Sequence, residues 1–291
     1  MLRVSTWNVL DLFAPLPTDD ARARYARKVN GLAEKLRAID ADVIGLQEVG
    51  TEEALAPLLE SLVDRGYVAH LGTPDDRGIR CALLSRLPII AAVTHTADHL
   101  PFPALAAGDP PPFGQRIPLR RGVPHVAIAT PLGPVHFLVA HLKSSRAMLI
   151  GEVASARARG EGIARSLVWR SAEALFIRGV CDEIRAQSPG IAVVAMGDFN
   201  DVESSAPLSI LASEGDDRLV SATARVPLPK RFTSRHGGER RQIDHVLVTP
   251  ELATHITGAL AWNEGLVDPT ERGVRIEDLV SDHAPLVVDF A

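Results

Sequence analysis

Short apolar runs alternate with polar stretches along this chain, and several of the runs end on an acidic, amide or histidine side chain. The first, Leu2–Val9, reads as a strand and gives way to an irregular segment at Pro15 and Pro17. Thr18, Asp19 and Asp20 then supply helix-start chemistry. Val29, Leu32, Leu36 and Ile39 recur at helical spacing, which predicts an amphipathic helix over about 20–39. Asp40-Ala41-Asp42 ends it. Val43-Ile44-Gly45-Leu46 follows as a buried strand whose far end delivers Gln47-Glu48. Thr51 can cap a second helix that lines up Leu55, Leu58, Leu59 and Leu62 on one face.

Between 66 and 141 short strands take over: Tyr67–Leu71, Arg80–Ser85, Ile89–Val93, His125–Thr130 and Val135–His141. Pro131-Leu132-Gly133-Pro134 is the hairpin turn joining the last two. Pro101, Pro103, Pro110, Pro111, Pro112 and Pro118 crowd the stretch 96–115 and its edge too densely for regular structure, so a surface loop at a site rim is expected. Residues 152–187 read as helix after an irregular start around Gly160 and Gly162. Ile191–Met196 is an apolar strand running into Gly197-Asp198-Phe199-Asn200-Asp201. The last third repeats the pattern, with a helix over Ser204–Glu214, a strand over Gln242–Val248 after the Gly237-Gly238 turn, and a closing strand over Pro285–Phe290.

No internal repeat, low-complexity tract or Ser/Gly linker divides these elements. The 291 residues exceed the roughly 150 common for one domain, but sheet-rich enzymes reach this size as one unit. The expectation is a single α/β domain over 1–291, two sheets packed together with helices outside.

Composition narrows the function. Hydrophobic residues at 46% and charged residues at 23% fit a large core under an ordinary soluble surface. Acidic side chains outnumber basic ones, 36 to 31, for a formal charge of −5, the opposite of a protein that merely coats nucleic acid. Unpaired carboxylates neutralised by a bound cation would give that sign. Cys81 and Cys181 stand in apolar segments without metal-ligand spacing and are expected as buried small hydrophobes. The start of the chain shows no secretory leader, and no apolar run approaches the roughly 20 residues of a membrane span. A cytoplasmic location is the expectation.

The candidate chemistry sits at strand ends. Glu48 follows VIGLQ, His141 follows HFLVA, and Asp198 with Asn200 follow IAVVAMG. Asp244 and His245 interrupt QIDHVLV, and Asp282-His283 precede APLVVDF. Each alone is ordinary: a solvated strand end, a turn in which a short side chain bonds the backbone, a satisfied histidine. Strand ends, however, bring sequence-distant side chains into one cleft on a rigid frame, and their joint occurrence is what carries information.

The pieces STWNVL (5–10), IGLQEV (44–49), ALLSRLPI (82–89), VAHLKS (139–144), GDFND (197–201), QIDHVLV (242–248) and SDHAPLVVDF (281–290) resemble, in order and over almost the whole chain, the endonuclease/exonuclease/phosphatase superfamily of the DNase I type. The resemblance implies a four-layer α/β/β/α sandwich with its site at one end of two packed mixed sheets. It implies a metal-dependent phosphoester hydrolase in which Glu48 is the principal metal ligand, with Asn8 and Asp282 nearby. Such hard oxygen ligands suit Mg²⁺ or Mn²⁺. Asp198 matches the residue that orients or deprotonates the attacking water, and Asn200 the amide that holds phosphate and nucleophile. His283 matches a phosphate-contacting histidine paired with Asp244, and His141 the second catalytic histidine.

One departure stands out. DNase-type members carry a glutamate partner for the second histidine just before the strand matching Cys81–Leu84. Here that neighbourhood reads Asp75-Asp76-Arg77-Gly78-Ile79-Arg80, with no Glu: the pattern predicts a turn first, with Asp75 or Asp76 as the alternative carboxylate for His141.

The family does not fix the substrate, since its fold serves nucleases, lipid phosphodiesterases and inositol phosphatases. Lys143, placed beside the site by the HLKS motif, is the best phosphate contact. Arg116, Arg120-Arg121, Arg146, Lys230-Arg231 and Arg240-Arg241 read mostly as solvated surface charges. Eight Phe, three Trp and two Tyr are too few for a base-stacking platform, although a reader of the duplex backbone needs fewer. A nuclease, with nucleic acid as the partner, is expected first. A phosphodiesterase or phosphatase acting on a small-molecule or lipid phosphoester comes next, and an inactive binding scaffold last.

Overall fold

Strands buried on both faces need apolar side chains at successive positions, and that is what the uninterrupted runs of the sequence supply. The computed structural model describes residues 1–104, 106, 108, 110, 116–151 and 155–291. The first half of the chain contains β1 (Leu2–Leu12), α1 (Asp19–Ile39), β2 (Val43–Val49), α2 (Glu52–Ser61), β3 (Val68–Leu71), β4 (Arg80–Ser85), β5 (Ile89–His95), β6 (Val123–Thr130) and β7 (Gly133–His141). The second half contains α3 (Ala156–Gln187), β8 (Ala192–Asp198), α4 (Ala206–Ala212), β9 (Val220–Ser221), β10 (Ser234–His236), β11 (Glu239–Arg241), β12 (Asp244–Val248), α5 (Pro250–Ala253), β13 (Ile256–Ala261) and β14 (Leu286–Phe290).

Among the described residues two mixed sheets of six strands result, in the orders β13-β14-β1-β2-β4-β3 and β5-β6-β7-β8-β12-β9, with β10-β11 as a separate ribbon. Alternate side chains of the central strands serve different layers. Leu2, Val4 and Val43 of the first sheet meet Val135, Phe137, Val139, Val194 and Met196 of the second in the core between the sheets. Trp7, Val9, Ile44 and Leu46 instead pack against Leu32, Leu36 and Ile39 of α1 and Leu55 and Leu58 of α2. On the far side Leu138, Ala140, Val193 and Ala195 pack against Ala174, Ile177, Cys181 and Ile184 of α3. The order of layers is therefore α/β/β/α, as expected. Both cysteines are free and buried in these cores. Among the described residues no helix is long and apolar enough to cross a membrane.

Several boundaries differ from the sequence reading. Gly160 and Gly162 lie inside α3, whose cap is Ser155, and residues 152–154 lie outside the described set. Gly162 is required by contact: its carbonyl accepts a hydrogen bond from Met148 N at 2.9 Å, and an added Cβ would sit 3.0 Å from Met148 O. The helix expected over 204–214 contracts to α4, capped by Ser205. Gly237-Gly238 turns β10 into β11, and Gln242 and Ile243 precede β12. The described residues of 96–115 carry no helix or strand beyond the loop, and Pro111 and Pro112 fall outside them. The arms of this loop are not free surface, because Leu100 N bonds Ile117 O at 2.7 Å and Leu119 N bonds Ala97 O at 2.8 Å. Leu100 is buried beside Trp169 and Ala172 of α3.

α3 also buries charge. Arg170 is fully engaged, with Asp201 Oδ2 at 2.8 Å and the carbonyls of Lys143 and Ser166 both at 3.2 Å. Glu173 accepts from Lys143 N at 2.6 Å. Burial pushes its carboxyl from the ordinary 4.5 up to about 7, against the opposing pull of Arg121 and the Lys143 hydrogen bond. Across that interval the folded protein holds a proton that the unfolded chain has released, so stability falls as pH rises through it. Glu173→Gln keeps an acceptor for Lys143 N and removes the charge. Its urea-unfolding free energy should exceed that of the parent by up to about 3 kcal/mol above pH 7, and the slope between pH 5 and 7 should flatten.

Gly197 is fixed more tightly. At φ +146° it lies opposite Ala140 in the β7–β8 ladder, and a Cβ would stand 1.8 Å from Ala140 O. Gly197→Ala should cost more than about 3 kcal/mol in the same measurement or prevent folding.

Candidate active site

Strand register assembles the site. β7 and β8 run parallel with His141 opposite Asp198, and β12 runs antiparallel to β8 with Asp244 opposite Asp198. Three strand ends of one sheet thus place His141, Asp198 and Asp244 side by side. The facing sheet contributes Asn8 from β1 and Glu48 from β2. Both strands are irregular there: the β1–β2 pairing shifts register between Asn8 and Leu12, and the β2–β4 pairing shifts after Gln47. Leu10, Asp11 and Glu48 have φ of 52°, 47° and 62°, so three non-glycine residues occupy the left-handed region beside one another. Each such residue costs about 1–3 kcal/mol, a strain that concentrates at functional sites. Strict alternation sends His245 to the other face of β12, where its Nε2 bonds Asp201 O at 2.8 Å.

Asp198 is the hub. Its Oδ2 accepts from Asn8 Nδ2 at 3.0 Å and lies 3.4 Å from His141 Nε2 and 3.9 Å from His283 Nε2. Its Oδ1 accepts from Asn200 N at 2.9 Å. Burial drives the Asp198 carboxyl upward, opposed chiefly by the His283 charge. His283 Nδ1 donates to Asp244 Oδ2 at 2.8 Å. Burial by itself would lower the His283 pKa, but Asp244, Asp198 and Asp282 together raise it well above the ordinary value, so the ring is an imidazolium. The backbone is held as firmly: Trp7 Nε1 donates to His283 O at 2.8 Å, and Ser281 Oγ donates to Asn8 O at 2.6 Å. Asp244 keeps one oxygen, Oδ1, without a hydrogen bond among the described residues.

His141 differs. Burial, then the charges of Arg121, His283 and Arg77, lower its pKa well below the ordinary value, so it is neutral. Its Nδ1 has no hydrogen-bond partner among the described residues. The expected turn at Asp75 accounts for this, since Asp75 Oδ1 accepts from Arg77 N at 2.9 Å and Ile79 N at 3.1 Å. No carboxylate from that turn reaches His141.

The carboxylates on the β1–β2 side form the other half. Glu48 Oε1 accepts from Asn8 Nδ2 at 3.1 Å, and Oε2 accepts from Asp11 N at 3.0 Å. Burial raises the Glu48 pKa, and the Asp11 carboxylate adds to the rise against the hydrogen bond from Asn8. Asp11, Asp282 and Glu48 all bear on Lys28 of α1, whose Nζ donates to Val280 O at 3.0 Å; burial lowers that ammonium to about 8. A buried carboxylate held above its ordinary pKa, with two more close by and free lone pairs on oxygen, fits a hard divalent cation. Asp198, Asp244 and His283 also present ligand atoms within 4.8 Å of one another. Their geometry is that of a hydrogen-bonded acid–base cluster, because the His283 Nδ1 lone pair is replaced by the proton given to Asp244. Asn8 departs from its expected place as a metal ligand. Its Nδ2 faces the carboxylates while Oδ1 accepts from Leu10 N at 3.0 Å, so the amide bridges Glu48 and Asp198.

Asn8, Glu48, His141, Asp198, Asp244 and His283 are brought to this cleft, Asp282 bears on it beside His283, and Asn200 flanks it with φ 54° and its Nδ2 given to Leu142 O at 3.0 Å; of the strand-end residues, only His245 turns away. Lys143 lies two residues after His141, and among the described residues its Nζ bonds only Ser144 O, at 3.0 Å. Sequence reasoning missed Asp11 and Lys28. Asp11 enters only because β1 bends after Asn8, and Lys28 lies on the polar flank of a helix read for its apolar face.

The sequence matches the Endonuclease/Exonuclease/phosphatase family over residues 5–283. It finds no significant match among curated proteins. Solved structures resemble it along its entire length. A truncated TDP2 from Caenorhabditis elegans is 17% identical at a TM-score of 0.65, covering 100% of this chain and 97% of that one. A Bacteroides thetaiotaomicron mannosyl-6-phosphatase is 19% identical at 0.67, covering 100% of both. The human Nocturnin catalytic domain is 18% identical at 0.62, covering 100% of this chain and 94% of that one. Such likenesses establish the fold, and the match over 5–283 establishes the lineage: this chain belongs to the endonuclease/exonuclease/phosphatase family of phosphoester hydrolases.

Proposed function

We propose that the chain hydrolyses phosphodiester bonds with Mg²⁺ or Mn²⁺, by in-line attack of water, and acts first of all as a nuclease. The observation that carries this reading is the placement of Asp198 between a neutral His141 and a charged His283, with the Glu48 carboxylate one amide away across Asn8. Glu48 and Asp282 would hold the cation, joined by Asn8 if its amide turned over. Bound there, the cation supplies positive charge to the phosphate oxygens.

The protein's own groups do the rest. His283 offers Nε2–H to a non-bridging oxygen, and Asp244 keeps it protonated and correctly turned. Asp198 takes the proton of the attacking water, its basicity raised by burial. Asn8 and Asn200 fix the Asp198 oxygens, and neutral His141 orients water or substrate through Nε2. Lys143 and its neighbours place positive charge beside this cluster on a chain that is acidic overall, which favours a polyanionic substrate.

The test is turnover of plasmid DNA, single-stranded DNA, RNA, bis-p-nitrophenyl phosphate, sphingomyelin and inositol phosphates, with Mg²⁺ or Mn²⁺ and with EDTA. Nucleic acid should be cleaved and EDTA should abolish cleavage. Preference for a lipid or small phosphoester would transfer the same chemistry to that substrate. No turnover of any of them would leave a binding scaffold. Asp198→Asn should lower kcat about 10²–10⁴-fold and His283→Gln about 10²–10³-fold, with Glu48→Gln raising the metal concentration needed. In Asp244→Asn the His283 pKa falls toward its ordinary value, so activity should be lost on the alkaline side at a lower pH than in the parent. A variant profile that superimposes on the parent's would remove Asp244 from this role.

A further inference from the structure

Two arginines near the site contrast sharply. Arg170 is buried and every part of its guanidinium is engaged by Asp201 and carbonyls. Arg121, only 7% exposed, makes no hydrogen bond among the described residues; its Nε is unpartnered, and the nearest carboxylate oxygen, on Asp75, is 3.8 Å away. That carboxylate already spends its other oxygen on the Asp75 turn. Burying a guanidinium donor without a hydrogen bond costs free energy, and an anion arriving from outside would recover it.

Its neighbours are also cations. β6 and β7 pair antiparallel with His125 opposite Leu138. Carrying that register past the strand ends sets Arg121 beside Leu142 and Arg120 beside Lys143, at the end where His141 and Asp198 lie. The electrostatics agree with this placement: after burial, Arg120 is the main influence lowering the Lys143 pKa, and Arg121 is the first charge to lower that of His141. Arg120 is braced on Trp169 with its guanidinium carbon 4.9 Å from the ring centroid. Neither Arg120 nor Lys143 has an ion pair among the described residues. Glu173 beneath them is spent on the backbone N of Lys143 and, with a pKa of about 7, carries only part of a charge near neutrality.

We infer that Arg121, with Arg120 and Lys143, forms a second anion subsite beside the scissile position, so that the preferred substrate carries a phosphate next to the one being cleaved. The inference rests on the phosphoesterase reading for its kinetic test. The shared chemistry is a vicinal phosphate, whether the next linkage of a nucleic-acid strand or the second phosphate of a small molecule.

Thymidine 5′-p-nitrophenyl phosphate and its 3′-phosphorylated form separate the subsite from the scissile chemistry. An oligonucleotide with a neutral methylphosphonate replacing the neighbouring phosphate, against its unmodified parent, reports on the strand. The added phosphate should lower KM about tenfold or more, the worth of a charge-assisted hydrogen bond to a buried guanidinium. In Arg121→Gln most of that advantage should vanish, and in the less buried Arg120→Gln it should shrink. A gain confined to the small pair assigns the subsite to a bisphosphorylated molecule, and one confined to the oligonucleotides assigns it to a strand.

Calorimetric titration of inorganic pyrophosphate in EDTA reads the subsite without metal or turnover, and should weaken in both variants. Equal KM for both members of each pair in the parent, or an undiminished advantage in both variants, overturns the inference and leaves the hydrolase intact. Absence of any hydrolysis overturns the hydrolase, and the pyrophosphate titration then decides the subsite alone.

Discussion

The constraint on which this structure turns is a carboxylate that must be buried and still be useful. Asp198 stands at the end of a central strand, where packing between the two sheets removes it from water. An isolated charge there would be neutralised by uptake of a proton. Its surroundings are arranged against that outcome. Asn8 donates from the facing sheet, Asn200 donates from its own loop, and His283 brings a positive charge that Asp244 maintains. Gly197, with no Cβ to strike Ala140 O, lets β8 run close enough to β7 for His141 to complete the ring of neighbours. Remove the frame and Asp198 is an ordinary acid; within it the carboxylate is poised between holding and accepting a proton.

The second half of the cleft solves a different problem. Carboxylates gathered to hold a cation repel one another, and nothing in a regular strand pair would bring Asp11 beside Glu48. The backbone accepts left-handed conformations at Leu10, Asp11 and Glu48 to achieve it. The resulting negative charge is partly answered by Lys28, anchored on the carbonyl of Val280 two residues before Asp282. The same helix admits that segment closely at Gly31, where a Cβ would meet Val280 Cγ2 at 2.6 Å. α1 thereby fixes the position of the Ser281-Asp282-His283 turn from outside the sheet, linking the carboxylate half of the site to the histidine half.

What could be read from sequence follows from what has a period. Runs such as IAVVAMG and HFLVA are continuous because their strands are covered on both faces, and their polar ends mark where cover stops; hence the strand ends, the layers and Glu48, His141, Asp198, Asp244 and His283 were legible. Thr51 as a cap was legible for the same local reason, its hydroxyl accepting from Ala54 N at 3.3 Å. Asp11 and Lys28 were not, since a bulge and a long side chain reaching across layers leave no periodic trace. Asn8 was recognisable as a site residue, but which end of its amide faces the carboxylates is decided by the three-dimensional donor count around Leu10 N. Arg121 read as a surface charge because sequence shows a residue's charge and not the absence of a partner for it.

The two halves together form a cleft of opposite polarity. Carboxylates from the β1–β2 side face the proposed cation site, while Arg120, Arg121 and Lys143 extend the β6–β7 side with positive charge, approached only by Asp75 at 3.8 Å from Arg121 and by Glu173 among the described residues. A phosphodiester laid between them meets complementary charge on both flanks, one supplied by the ion and one by the protein. Only the first depends on residues near the strand ends; the second stands on the loop leading into β6 and on Lys143, two residues past the end of β7. Loops accept substitution more readily than strand ends do. Substrate preference in such a frame can therefore change while the strand-end chemistry stays fixed. In this chain the proposed reader of the substrate is a buried guanidinium whose Nε has no hydrogen bond among the described residues.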